Sequence, residues 1–433
     1  MSHFSGRVPA ILLGIVLSGC GGGSGGGADG ATGSSCSVLE ENQQILQVMQ
    51  EFYLWNDRMP VADPGDYDSP DAFLDALRVP EDIYSFLTLA ADDEAFFGEG
   101  QFAGLGFRSQ QIAEEVRLLD VYEGSPAFVG GLRRGDSILT VDGRPIAEVI
   151  AAEGFSASLG PPEVGDVVEL GWRDVNGTEF TQIFTKAVVT IPPVTASSVL
   201  NTPTGPVGYL NFRNFVEPAD VALNAAFADF RDTGISNLVV DLRYNTGGLL
   251  SISEVLANLI GGAVTQGQVF YTLEYNADKS FLNESRLFRD TPNAVDTPRV
   301  VFITTRSTAS ASEMVINGLI PFIDVALVGD TTFGKPVGQL GFLFCDKILR
   351  PVTFRIVNAV GTADYFGGFP PDCAAEDELD RAFGDPAEAS LAEALFYIEN
   401  GTCSAPTALK STGSAADKPA QSPERRWKLL DAH

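Results

Sequence analysis

Serine and lysine are the residues of this chain whose surroundings suit them for chemistry. Ser310 stands in Ser307-Thr308-Ala309-Ser310-Ala311-Ser312-Glu313, where an apolar run, Val300 to Thr304, gives way to a helical pattern that continues through Leu319. Lys335 stands in Gly334-Lys335-Pro336-Val337-Gly338-Gln339, beyond a second apolar run, Val325 to Val328. A serine hydroxyl is a poor nucleophile until a neighbouring base takes its proton. Histidine occurs only as His3 and His433, at the two ends of the chain. A Ser-His-Asp triad, a Cys-His pair and an HExxH zinc site are therefore excluded, and the base must be lysine, aspartate or glutamate. Of seven lysines, Lys410, Lys418 and Lys428 fall near the C-terminus. Lys335 differs in occupying a glycine-flanked turn between apolar segments, where burial disfavours an ammonium and lowers its pKa toward the working range. A helix beginning at Ser310 places the Ala311 N–H and the positive helix end near a developing oxyanion. A second N–H is expected from Gly247 or Gly248, where the lack of a Cβ lets backbone approach substrate. Each residue also has a structural reading. Ser310 and Glu313 form S-x-x-E, a helix capping box, Lys335 reads equally as a surface lysine, and Gln339 as a strand residue.

The elements around these residues alternate. Val207 to Phe212 reads as a strand and Ala219 to Arg231 as a helix. Asn237 to Arg243 reads as an apolar strand ending in the turn Tyr244-Asn245-Thr246-Gly247-Gly248, before a helix from about Leu250. The runs before Ser310 and Lys335 continue the pattern, which predicts an α/β layer with the polar turns at one sheet edge. Upstream, Ile45, Val48, Met49, Phe52 and Leu54, then Phe73, Leu74 and Leu77, recur at helical spacing and predict a small helical domain over 38–92. Length (433 residues) and apolar content (45%) fit about three domains with sizeable cores. With 28 basic against 57 acidic residues the net charge is −29, which repels nucleic acid.

Over 93–190 the texture changes to short strands with glycine punctuation. Gly104-Leu105-Gly106-Phe107 is followed by Gly124-Ser125-Pro126-Ala127 and by Gly131-Leu132-Arg133-Arg134-Gly135-Asp136, ending at Asp142-Gly143. Together, in this order, they resemble a bacterial PDZ domain. Such a domain adds a peptide as an extra strand and turns loop N–H groups toward its terminal carboxylate. The resemblance assigns Leu105, Gly106 and Phe107 to the carboxylate loop and an adjacent apolar pocket. A glycine-rich hairpin without a ligand is the alternative.

The chain ends carry addresses rather than chemistry. Arg7, the apolar run Pro9 to Leu17 and Leu17-Ser18-Gly19-Cys20 read as an export signal over 1–20, because the run is too short to span a bilayer. The tetrad resembles the bacterial lipobox, in which Cys20 is lipidated and anchors the protein to a membrane facing the periplasm or cell exterior. Residues 21–37, glycine-rich, then serve as a flexible linker. Residues 404–433, with five basic and three acidic side chains, read as an unfolded tail. The remaining cysteines, Cys36, Cys345, Cys373 and Cys403, allow three pairings. Cys345 with Cys373 and Cys36 with Cys403 is the favoured one, since the first closes a modest loop and the second ties the ends of the folded body. Their spacing fits no metal knuckle, and no metal or cofactor is expected.

Asp241-Leu242-Arg243-Tyr244-Asn245-Thr246-Gly247-Gly248, then Thr308-Ala309-Ser310-Ala311-Ser312-Glu313, then Gly334-Lys335 with Gln339, all behind a PDZ-like segment, resemble the carboxyl-terminal processing (tail-specific) proteases from about residue 40 to 400. The resemblance implies a multidomain α/β chain: a small helical N-terminal domain, a PDZ domain, and a crotonase/ClpP-like α/β protease core over 191–403. It implies Ser310 as nucleophile, Lys335, 25 positions later, as base, and Gln339 as the residue that orients the lysine. Thr246 stands where the family commonly has proline, Pro336 where many relatives have glycine, and Pro321 where some have an aspartate, so no third acidic member is carried over. Tyr365 to Asp372 resembles the family's late glycine-proline-aspartate turn and is expected to be structural. The expected function is a membrane-tethered Ser-Lys serine endopeptidase acting on proteins or peptides with free C-termini. A catalytically inactive PDZ-type peptide-binding or scaffold lipoprotein is the alternative, and a small-molecule carrier, after the resemblance of such cores to retinoid-binding modules, is a third.

Overall fold

The computed structural model describes residues 36–404. The export signal with Cys20, the linker up to Ser35 and the tail from Ala405 lie outside the described residues. Helix α1 (Val38–Phe52) starts at a capping box, in which Glu40 accepts the Ser37 N–H at 2.8 Å and Ser37 Oγ accepts the Glu40 N–H at 3.3 Å. Helix α2 (Pro70–Leu77) starts with Ser69 as cap and proline in its first turn. Ile45, Met49, Phe73, Leu74 and Leu77 close on one another and on Val337, Leu349 and Val352 from the far end of the chain. The helical N-terminal region thus shares its core with the body. The chain then forms β1 (Phe86–Leu89), which pairs antiparallel with Lys347–Arg350. Helix α3 (Ala90–Glu99) runs through the expected boundary at 92–93 and ends on Gly100.

Strand β2 (Gln101–Gly104) leads into an antiparallel sheet of β3 (Phe107–Ile112), β4 (Glu115–Val121), β5 (Ser137–Val141), β6 (Arg144–Pro145), β7 (Val167–Arg173) and β8 (Glu179–Thr185). The order is β3-β4-β5-β7-β8, with β6 beside β5. Short helices α4 (Pro126–Val129), α5 (Ile146–Ala152) and α6 (Phe155–Ser158) interrupt it, and β9 (Ala187–Thr190) returns antiparallel to β2. This sheet has its own core, including Leu105, Phe107, Leu118, Leu170 and Trp172. Gly106, at φ +92°, has no room for a side chain: a Cβ would lie 2.1 Å from that of Ser125.

The main body follows with β10 (Val194–Thr202), β11 (Gly205–Phe212), α7 (Ala219–Thr233), β12 (Asn237–Asp241), α8 (Leu250–Thr265), β13 (Val269–Tyr275), β14 (Glu284–Leu287), β15 (Arg299–Thr304), α9 (Ala311–Leu319) and β16 (Asp324–Gly329). It continues through β17 (Val337–Gln339), β18 (Phe342–Phe344), β19 (Lys347–Arg350), β20 (Val352–Val357), β21 (Cys373–Ala374) and α10 (Ala389–Asn400). The large sheet runs β10-β11-β12-β15-β16-β21, with β10 antiparallel and the others parallel. Side chains alternate across it. Leu238, Val240, Val300 and Phe302 join the core containing α7, α8 and α9, while Val239, Val301 and Ile303 pack with Leu391, Ala394 and Ile398 of α10. A second sheet, β14-β13-β20-β17, and a small one, β1-β19-β18, flank this body. The fold is mixed α/β, and the C-terminal ends of β12, β15 and β16 release the loops that carry Gly247, Ser310 and Lys335.

The disulfides differ from the favoured pairing. They are Cys36–Cys345, with Cα atoms 6.0 Å apart, and Cys373–Cys403, 5.4 Å apart. Packing of α1 against the body brings Cys36 to the β18–β19 turn. The side-by-side placement of β21 and α10 brings Cys403 to Cys373. Distance along the chain predicted neither approach. Among the described residues, no helix is long and apolar enough to cross a membrane.

Candidate active site

The loop after β12 is locked from beneath. Arg243, almost wholly buried, pairs with Asp241 at 2.7 Å and with Glu388 at 2.8 Å. Asn245 then joins two loops: its Nδ2 donates to Phe212 O at 2.8 Å, and its main-chain O accepts the Ala309 N–H at 3.0 Å and the Ser312 hydroxyl at 3.1 Å. Gly247 therefore lies against the turn that holds Ser310. A Cβ on it would sit 2.8 Å from Ala311 N, Ala309 O and Ser310 Cβ, and one on Gly248 would sit 2.2 Å from Phe215 O. Only glycine fits this approach. Of the two glycines expected to offer the second N–H to an oxyanion, Gly247 has its own already committed. The Gly247 N–H donates to Asn245 Oδ1 at 2.9 Å. Among the described residues, no protein acceptor meets the N–H of Gly248 or Ala311.

Ser310 precedes α9 with φ +56°, a left-handed conformation that costs a non-glycine residue energy. Its N–H donates to Glu313 at 3.0 Å, as the S-x-x-E reading anticipates. The carboxylate does more than cap the helix. Glu313 is fully buried and also accepts Thr332 Oγ1 at 2.6 Å, the Gly334 N–H at 2.7 Å and the Lys335 N–H at 2.8 Å. One side chain thus ties the backbone of Ser310 to that of Lys335. Burial pushes the Glu313 carboxyl up, and these donors pull the other way.

Lys335 is not a surface lysine: 3% of it is exposed. Its Nζ donates to Gln339 Oε1 at 2.6 Å, while Gln339 Nε2 donates to the main-chain O of Tyr84 and of Arg350, each at 2.8 Å. With both amide hydrogens committed, the amide oxygen is left to face the ammonium. Burial pushes the Lys335 pKa down from 10.5 to about 7, with Arg350 acting in the same direction and Asp82 and Glu313 opposing. Ser310, Lys335, Gln339, Thr246, Gly247 and Gly248 all line one cleft of about 170 Å³. Apolar side chains, among them Phe86, Phe96, Phe97, Leu250, Phe354 and Ile356, line it together with Arg350.

Leu105, Gly106 and Phe107 lie away from this cleft. The Leu105 and Phe107 side chains are fully buried in the core of the β3–β8 sheet, so neither lines an open apolar pocket as expected. The Gly106 carbonyl accepts the Tyr122 N–H at 2.9 Å. The next residue, Arg108, donates to Tyr244 O, and Arg213 grips Asp120 through two bonds of 2.6 and 2.7 Å. Those contacts fasten the β3–β4 hairpin to the glycine loop through Tyr244 and to the end of β11 through Arg213.

Several residues at the cleft escaped sequence reasoning. Asn245 and Glu313 stood inside recognised strings, but their linking roles depend on partners in other loops. Tyr84, Asp82, Phe86, Phe96 and Phe97 come from segments more than 200 positions before Ser310. No local signal marks them.

Residues 206–375 match the family model described as peptidase family S41, and residues 40–86 match the peptidase S41 N-terminal domain. The chain is similar to a carboxyl-terminal-processing protease of Synechocystis sp., 28% identical over 311 residues that cover 70% of each protein. It is also similar to the chloroplastic carboxyl-terminal-processing peptidase 1 of Arabidopsis thaliana, 25% identical over 58% of this chain and 51% of that protein. The chain thus spans between half and 70% of the length of these curated relatives. Among solved structures, a putative S41 protease from Bacteroides fragilis superposes with a TM-score of 0.67 at 26% identity, covering 83% of this chain and 97% of that one. With a buried lysine and a serine in one cleft, behind the family's N-terminal segment, the chain belongs to peptidase family S41, the serine-type family of the carboxyl-terminal processing proteases.

Proposed function

We propose that the protein is a serine endopeptidase in which Ser310 is the nucleophile and Lys335 the general base. The observation that carries this reading is a lysine 3% exposed, with its pKa pushed down to about 7, in the same cleft as a serine at the start of a helix. Neutral Lys335 takes the Ser310 proton as Oγ bonds to the scissile carbonyl carbon. The carbonyl oxygen becomes an oxyanion, received by the N–H groups of Ala311 and Gly248. The tetrahedral intermediate then expels the amine, which takes the proton back from Lys335 and leaves an acyl group on Ser310. Water attacks this ester, Lys335 again carries the proton, and the acid product departs. Gln339 holds the ammonium formed in each half-reaction.

The reading extends to substrate and place. Residues 93–190 act as a PDZ domain that takes the free C-terminus of a protein and passes the chain to Ser310, with the backbone at Leu105, Gly106 and Phe107 receiving the carboxylate. The protein is exported and held to a membrane by a lipid on Cys20. Two disulfides in the folded body suit an oxidising compartment. The test uses a peptide with an apolar, free C-terminus. Ser310→Ala and Lys335→Ala each abolish its cleavage while the protein stays folded, and persistent turnover in either removes that residue from the mechanism. Amidating the peptide's C-terminus weakens its binding to Ser310→Ala, and unchanged binding refutes carboxylate capture.

A further inference from the structure

A base on a flexible stem needs a fixed seat, because proton transfer depends on the approach geometry of donor and acceptor. Tyr84, 3% exposed and from the N-terminal region, meets the Lys335 seat at three points. Its hydroxyl donates to Gly334 O, the carbonyl just before the lysine, at 2.7 Å. Its main-chain O accepts Gln339 Nε2 at 2.8 Å. Its ring centre lies 5.6 Å from Lys335 Nζ.

We propose that Tyr84 is a positioning residue for the Ser310–Lys335 reaction: it fixes the peptide group before the base, the amide that holds the base, and the ring face against which the base rests. This inference rests on the function proposed above and assigns part of that site to the N-terminal region.

Tyr84 is itself firmly held. Asp82 Oδ1 accepts the N–H groups of Tyr84 at 3.0 Å and Ser85 at 2.9 Å, and Ser85 Oγ accepts the Val352 N–H at 2.9 Å. Strand β1 then runs directly on and pairs with β19. The seat is thereby anchored to the same sheet that supplies Gln339's second acceptor, Arg350 O. The phenol does not titrate in the working range, since burial and the charges of Glu313 and Asp82 push it well above its ordinary value. It remains a donor while Lys335 gains and loses its proton. The groups acting on that proton are Asp82 from the N-terminal segment, Glu313 from α9 and Arg350 from β19, and buried Tyr365 lies near both Glu313 and Tyr84. Tyr84→Phe leaves all four in place.

The test is steady-state cleavage by the full chain across pH 5 to 10, with Tyr84→Phe beside wild type. Loss of one buried hydrogen bond predicts a fall in kcat of about three- to tenfold. KM should stay within about twofold, because the bond touches the base and not the substrate. Water reaching the unpaired Gly334 carbonyl also rehydrates the ammonium, so the acidic limb of the kcat profile moves to higher pH. Unchanged kcat and limb, a change confined to KM, or a lowered melting temperature with the wild-type profile each overturn the proposal. Gln339→Met tests the second contact even where Tyr84→Phe does not fold: it removes the amide joining Tyr84 O to the ammonium, and because the ammonium then loses its acceptor the limb should move to lower pH. A wild-type profile there overturns the proposal too. Ser310→Ala runs alongside, so that cleavage persisting in it marks a failure of the proposed reaction rather than of Tyr84's part in it.

Discussion

Replacing Lys335 by methionine should make the protein inactive and more stable at once. The side chains are similar in length, and the position is 3% exposed. A lysine with an ordinary value of 10.5 and a folded value of about 7 represents about 5 kcal/mol of disfavoured burial of charge. The sign follows from linkage. The folded value is depressed, so between the two values the unfolded chain binds the proton more firmly and wild-type stability rises with pH. Below about pH 7 the full penalty is present, and it fades as pH climbs from 7 to 10.5. At pH 6 it is about 5 kcal/mol, and at pH 9 about 2 kcal/mol. Methionine abolishes the penalty and also loses the Nζ bond to Gln339, worth about 1–3 kcal/mol. Lys335→Met is therefore expected to exceed wild type by about 2 kcal/mol or more at pH 6 and to be near parity at pH 9. Urea unfolding of both proteins at the two pH values measures this. A variant less stable than wild type at pH 6, or a gap that stays the same at pH 9, refutes the claim that Lys335 is held against its charged form.

Further tests address activity and architecture. With Lys335 as base, kcat/KM for the peptide rises through a limb near pH 7 and then levels; a flat profile from pH 5 to 9 counts against a lysine base. Gly248→Ala forces a Cβ to 2.2 Å from Phe215 O at φ +142°, so cleavage should drop by a hundredfold or more on an order-of-magnitude scale, and near wild-type turnover would show that the loop yields. Cys36→Ser opens a link between residues 309 positions apart and should destabilise by about 2–5 kcal/mol in denaturant melts, more than Cys403→Ser, whose loop spans 30 positions. The reverse order would discard chain entropy as the source of that stability.

Much of the chemistry was legible because it is local. Absence of an interior histidine limits the base by residue type alone, and that constraint holds whatever the fold. The strand-turn-helix runs around Asn245 and Ser310, and the strand and glycine-flanked turn that carry Lys335, follow from periodicity and glycine placement. So does their arrival at one sheet edge, since parallel strands joined by right-handed crossovers deliver their following loops to the same side. The glycine pair is likewise readable, because a close backbone approach excludes every side chain. Which glycine keeps its N–H free was not readable: that depends on Asn245 Oδ1 reaching Gly247.

Contacts across long stretches of chain were decided by tertiary packing. Cysteine pairing is one case, where loop length suggested partners and the seating of α1 and α10 supplied others. Leu105 and Phe107 are another: their glycine-rich string suggests an open loop, yet their apolar side chains gain more by joining the core of their own sheet. The depressed basicity of Lys335 needed both levels. Its glycine-flanked turn is written in the chain, but its burial, the Glu313 carboxylate shared with Ser310 and the Tyr84 seat come from segments that meet only in the folded body. Residue type and local pattern set which groups can react, because those are properties of one chain segment. Protonation and alignment belong to the surroundings, because desolvation and hydrogen bonding are set by whatever the fold packs alongside.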